Sequence, residues 1–171
     1  MQKIKYNSGG FTLVEILLYV TITATIMISI SILLQTLLEG RVRNQTAAEV
    51  EQQGTQVMQA ITQSIRNAQG VNSPSIGTSG ESLELDVVIG GDNPTTFDVA
   101  GGIFRITEGS PGTAVPLTNN RVSISTTTFE NLSRTTTATT VRVQFTLEYL
   151  NSSNRSEFEY SKTFYGTASV R

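Results

Sequence analysis

The feature that most constrains this chain is an uninterrupted run without charge, Ile16–Leu38, preceded directly by Glu15. As an α-helix these 23 residues would extend roughly 35 Å, enough to cross a hydrocarbon layer about 30 Å thick. Thr21, Thr23, Thr25, Ser29, Ser31 and Gln35 lower the hydrophobicity of the run without abolishing it. A core helix in a domain this small rarely runs so far without a charge. A secretory signal peptide has a shorter apolar run that ends in small residues at a cleavage site, whereas this run continues directly into Glu39–Arg43. The expectation is a membrane span. Met1–Gly10 carries Lys3 and Lys5 and no acid, while Arg41 and Arg43 beyond the run are mixed with Glu39, Glu49 and Glu51. The positive-inside bias then puts the amino terminus in the cytoplasm and the bulk of the chain outside it.

Composition removes most catalytic chemistry. The chain has no cysteine and no histidine, which excludes disulfides, thiolate nucleophiles, imidazole bases and His-ligated zinc. With 12 Lys+Arg against 14 Asp+Glu, it lacks the basic balance of an ordinary nucleic-acid binder. Arg121, Arg134, Arg142, Arg155 and Arg171 read as parts of solvated strand faces in a chain with more acids than bases, so no nucleic acid is expected as a partner. Asp92, Asn93 and Asp98 are oxygen ligands that turn chemistry explains equally well, so no metal or cofactor is expected.

After the apolar run, residues 39–70 read as a continuing helix. Val42, Thr46, Val50, Gly54, Val57, Ile61, Ile65 and Ala68 recur at spacings of three and four and form one narrow stripe. Gly40 and Gly54 are the expected points of bend or close packing. Gly70, Asn72 and Pro74 supply the stop. Residues 71–171 hold all four prolines, and 30 of these 101 residues are Ser or Thr. Two long stretches alternate with period two: Leu83, Leu85, Val87, Ile89, and Val141, Val143, Phe145, Leu147, Tyr149. Shorter strand candidates are Phe97–Val99, Ile103–Ile106, Val122–Ile124 and Phe158–Tyr160, with a tight hairpin at Ala100-Gly101-Gly102-Ile103. Alternation means one buried and one exposed face, hence an antiparallel sheet. The expected fold class is α+β: a long N-terminal helix, half membrane span and half amphipathic, packed on an antiparallel β head. Its regions are 1–10, 11–38, 39–70 and 71–171.

Directly before the apolar run stands Gly9-Gly10-Phe11-Thr12-Leu13-Val14-Glu15. This stretch resembles the processing site of type IV prepilins and pseudopilins, in which a basic leader ending in Gly precedes Phe and an acid at the fifth mature position. The resemblance implies cleavage by a prepilin peptidase between Gly10 and Phe11, N-methylation of Phe11, and assembly of subunits into a filament through Glu15 and the α-amine of Phe11 on a neighbour. It further implies other pilin or pseudopilin subunits, an inner-membrane assembly platform and the lipid bilayer as partners, a single-pass inner-membrane location before assembly, and no enzymatic activity. The stretches Ile103-Phe104-Arg105-Ile106 and Pro116-Leu117-Thr118 look similar to the larger minor pilins and pseudopilins, which act at the filament tip. The family's glycine and proline midway along the apolar helix are replaced by Ala24 and Ile32. A pseudopilin of a type II secretion machine and a single-span binding protein that never polymerises are the alternatives.

Glu15 has a second reading. Thr12-x-x-Glu15 before an apolar run also matches a capping box, and an acid in the first turn suits the helix macrodipole.

Overall fold

The computed structural model describes residue 10 and residues 12–134, 139–152 and 154–171. A single helix, α1 (Leu13–Asn67), is followed by nine strands: β1 (Ala68–Ser73), β2 (Ser79–Gly80), β3 (Leu83–Val87), β4 (Thr95–Ala100), β5 (Ile103–Glu108), β6 (Ala114–Pro116), β7 (Val122–Asn131), β8 (Thr140–Tyr149) and β9 (Ser161–Ser169). The chain divides into two compact units, Met1–Arg41 and Val42–Arg171.

The first unit contains the apolar half of α1. Its hydroxyls do not stand free. Thr21 donates to the Leu18 carbonyl, Thr23 to Tyr19, Thr25 to Thr21, Ser29 to Thr25, Ser31 to Met27 and Thr36 to Ile32, at 2.6–3.1 Å. Each bond reaches back three or four residues along the same helix, so the hydroxyls need no water or partner. The most apolar 18-residue window has mean hydropathy 2.3 and no buried residue. Leu13, Leu17, Ile26 and Leu38 are 53–80% exposed. A core helix buried within its own chain is therefore excluded, and by length and composition this helix is able to cross a membrane.

The second unit is the α+β head. The buried residues of α1 are Thr46, Val50, Gly54, Val57, Ile61 and Ile65, the stripe that the three-and-four spacing marks out. Of these, Val50, Val57, Ile61 and Ile65 share one buried cluster with residues of two antiparallel sheets, in the orders β1-β3-β4-β5-β6 and β2-β7-β8-β9, where the alternation alone suggested one. Phe104 of β5 joins the sheets, meeting Phe129 of β7 and Phe145 of β8 edge-on, with centroids at 6.3 and 5.6 Å. Leu83, Leu85, Phe97, Val141, Val143 and Leu147 complete the buried core.

Two glycines let helix and sheet approach. A Cβ built on Gly54 would lie 2.1 Å from the Phe164 ring of β9, and one on Gly166 would lie 2.3 Å from the Met58 sulfur. Of the two glycines expected to bend or pack α1, Gly54 is thus a packing residue. A Cβ built on Gly40 would meet no other described residue within 4 Å. Gly101 and Gly102 form the two-residue hairpin between β4 and β5 with φ of +59° and +76°, the left-handed pair that such a turn requires.

Some expectations fail. The helix ends at Asn67, because Ala68–Ser73 pairs with β3 as a strand. Ile89 lies beyond β3 and is 65% exposed. Phe158 closes a short 3₁₀ turn, Ser156–Phe158, where it stacks on Tyr149 at 5.9 Å, and the true strand begins three residues later. Strand β7 continues seven residues past Ile124, through Thr126–Thr128, which periodicity did not mark.

Candidate functional site

A notional Cβ on Gly10 meets none of the described residues within 4 Å. Phe11, Lys3 and Lys5, on which the expected cleavage and methylation rest, lie outside the described residues.

At the start of α1 the Glu15 N–H donates to Thr12 Oγ1 at 3.3 Å, and the Thr12 carbonyl accepts from the Glu15 and Ile16 amides. Thr12 therefore caps the helix, satisfying an amide that the first turn leaves without an intrahelical partner. The reciprocal half of a capping box, from the Glu15 carboxylate back to the Thr12 amide, is not formed among the described residues. Instead Glu15 Oε1 accepts from Tyr19 Oη at 3.1 Å, one turn along the same face. The second carboxylate oxygen has no partner among the described residues. Capping thus accounts for Thr12, while Glu15 stands in the first turn, where the helix macrodipole favours an acid, with one carboxylate oxygen taken by Tyr19. Sequence reasoning missed Tyr19, although a donor four residues beyond an acid on a helix is a spacing that could have flagged it.

In the head, Arg105 pairs with Asp98 through Nε at 3.1 Å and a second bond, which raises the guanidinium pKa through that hydrogen bond first. Asn93 donates to Asp86 at 2.8 Å. Of the turn residues weighed as calcium ligands, Asp98 is thus paired with Arg105 and Asn93 with Asp86, and the described residues hold no group of three or more acids placed for a metal. Arg142 pairs with Glu130 and Arg155 with Glu157.

Lys162 of β9 bonds Glu51 of α1 at 2.7 Å, and Tyr160 Oη donates to the same oxygen at 3.3 Å. The Lys162 hydrogen bond, then its charge, holds the Glu51 carboxyl below its ordinary range, and Glu51 raises the Lys162 ammonium in return. A shallow cleft of about 550 Å³ is lined in part by Thr46, Glu49, Gln52, Arg121, Tyr149 and Phe158. Glu49 there accepts from Asn119 at 2.6 Å. Nothing in the cleft pairs a nucleophile with a base.

The two stretches that resemble larger minor pilins meet in space. Arg105 stands opposite Pro116 in the β5–β6 pair, Phe104 N–H donates to buried Thr118 Oγ1 at 3.1 Å, and Leu117 N–H donates to the Phe104 carbonyl at 2.7 Å. Comparison with protein-family models, with curated proteins and with solved structures gives no match.

Proposed function

We propose that this chain is a pilin-like subunit, placed at the tip of a type IV pilus-like filament. Its leader is removed between Gly10 and Phe11, Phe11 becomes the N-methylated terminus, and the first half of α1 holds the chain in the inner membrane until it packs among the helices of other subunits. In this reading the chain is the substrate of a prepilin peptidase and catalyses nothing. The observation that carries the reading is register: Gly10-Phe11 and Glu15 stand directly before a helix long and apolar enough to cross a membrane.

Two features support it. The span has its hydroxyls bonded to its own backbone and its apolar side chains uncovered, so it suits lipid first and neighbouring helices later. Glu15 carries a charge into that span, and an ionisable group there is functional by default. One carboxylate oxygen is left for the terminal amine of Phe11 on another subunit. Such a pair neutralises both charges and sets the stagger between subunits, and removing one member of a buried pair typically costs about 3–5 kcal/mol.

Mass spectrometry of the membrane fraction tests the processing. N-methyl-Phe11 as the first residue is expected, and an intact Met1 would reduce the chain to a simple single-span anchor. Glu15→Gln tests the pairing: it keeps Thr12 as the cap, so cleavage should be normal while filament entry falls. Tyr19→Phe is the control. It removes only the intrachain donor and should leave assembly intact; equal loss in both variants would mean the carboxylate serves its own helix alone.

A further inference from the structure

The two sheets have four edges, and three carry a device that discourages further pairing. β1 is broken by register shifts between Ala68 and Gly70 and between Val71 and Ser73, and runs into Pro74. β2 is two residues long and pairs only with Phe129 and Glu130 of β7. The remaining edge of β7 is broken by a register shift between Ile124 and Thr126 and tied at the Ile124 N–H to the Gly102 carbonyl. β6 is three residues long and ends on Pro116. Bulges, proline, shortness and charge are the means by which natural edge strands avoid other chains. β9 has nine residues, no proline, and no register shift against β8. Its single charge, Lys162, is tied back to Glu51 of α1.

The outer side of β9 is also unpaired among the described residues. Tyr149 N–H donates to the Tyr160 carbonyl and Val170 N–H to the Thr139 carbonyl, one at each end of the β8–β9 ladder. Even-numbered residues therefore turn their backbone groups toward β8. Antiparallel alternation sends the N–H and C=O of Ser161, Thr163, Tyr165, Thr167 and Ser169 the other way, where the described residues offer them no partner.

We propose that a second copy of this chain pairs on this edge, β9 against β9, antiparallel about a two-fold axis through Tyr165. The other three edges are blunted, so β9 is the edge that a homomeric contact has available on both sides. The strand is also compatible with itself. With Tyr165 opposite Tyr165, all nine residues pair and every outward backbone group is satisfied. Lys162 then faces Ala168, so no like charges meet, and Phe164 lies beside Gly166, an aromatic next to a residue without a side chain. Tyr165, 69% exposed in the single chain, gains a cross-strand aromatic neighbour. A two-fold contact closes on itself, so it links two subunits and does not extend a filament. It is independent of the processing and polymerisation proposed above.

The test uses the full, uncleaved chain in detergent. Sedimentation over a concentration series should show a monomer–dimer equilibrium. The chain has no cysteine, so a spin label attached at Tyr165→Cys reports one site per copy. In the proposed register the two labelled Cα atoms lie about 5.5 Å apart, giving strong dipolar broadening, whereas labels at Ser161→Cys, eight residue steps from each other, lie roughly 27 Å apart. Thr167→Pro removes an outward N–H without touching a bond to β8, and Tyr165→Glu sets like charges opposite each other on an exposed site. Each should weaken pairing by roughly tenfold or more while the thermal transition of the monomer is retained. A chain that stays monomeric, a dimer indifferent to both variants, pairing held by the apolar helix, or capture of another protein's strand at β9 in place of a second copy would overturn the proposal.

Discussion

The two halves of α1 have the same backbone and opposite surroundings. From Leu13 to Leu38 large apolar residues face outward all round, and the hydroxyls bond back to their own helix. From Val42 to Asn67 the apolar residues collapse into one stripe, and Thr46, Val50, Gly54, Val57, Ile61 and Ile65 are buried on the sheets. A helix apolar on every side needs lipid or other helices to cover it, while a striped helix is covered by the chain that carries it. One continuous element is thus divided between two environments by side-chain distribution alone.

Substituting matched residues in the two halves separates them, beginning with the largest effect. Ile61→Ala opens a cavity in the core and should destabilise the head by about 2–5 kcal/mol, read from its thermal or denaturant transition. Ile26→Ala should leave that transition where it is. An equal loss from both would mean that the first half is also core.

The converse change is Ile26→Lys. A lysine at the centre of a span disfavours insertion by about 2.5–3.5 kcal/mol. The variant should move from the carbonate-resistant membrane fraction toward the soluble one, with the head's unfolding transition unchanged.

A methyl group distinguishes the halves more finely. Gly54→Ala places a Cβ against the Phe164 ring, which is itself stacked on Phe145 at 5.4 Å and cannot easily turn away. Overpacking there should cost about 1–3 kcal/mol in thermal stability. Gly166→Ala should cost less, because the thioether of Met58 is free to shift. Gly40→Ala meets no atom and should stabilise the helix by about 1 kcal/mol, visible as slower amide exchange around position 40.

The smallest effect belongs to Glu51→Gln, which removes the exposed bridge to Lys162. Because the folded pKa of Glu51 is depressed, its contribution is present above the ordinary value of 4.5 and is lost as pH falls through the folded pKa. Because that of Lys162 is raised, its contribution is present below 10.5 and lost as pH rises through the folded pKa. The difference in thermal midpoint between wild type and variant should therefore be confined to the window between those values and shrink with added salt. A difference that persists in strong acid, where the Glu51 carboxyl is protonated, would mean that the substitution disturbs packing and not charge.

What could be read from the residues, and what could not, follows the strength of local periodicity. The stripe of α1 and the alternation of β8 come from many apolar residues at fixed spacing, and both were legible. The same rule misled at Ile89, where the alternation of β3 continues past the point at which the chain turns. β9 was illegible because its inner face reads Lys162, Phe164, Gly166, Ala168. The lysine is there to reach Glu51 and the glycine to admit Met58, so two of four inward positions break the pattern for the sake of contacts with α1. At the candidate site, the Gly10-Phe11 and Glu15 register was legible as a motif, and Tyr19 as the local partner of Glu15 was not.

The sequence by itself determined that this chain has an apolar helix of membrane-spanning length, a striped continuation and an antiparallel β head, because each depends on the order of side chains along a regular backbone. Only the tertiary structure decided that the head has two sheets joined through Phe104, that Gly54 exists to receive Phe164, and that β9 is the long edge left open. These are pairings between residues far apart in the chain, and no local spacing encodes which distant strand or ring will come to meet a given residue.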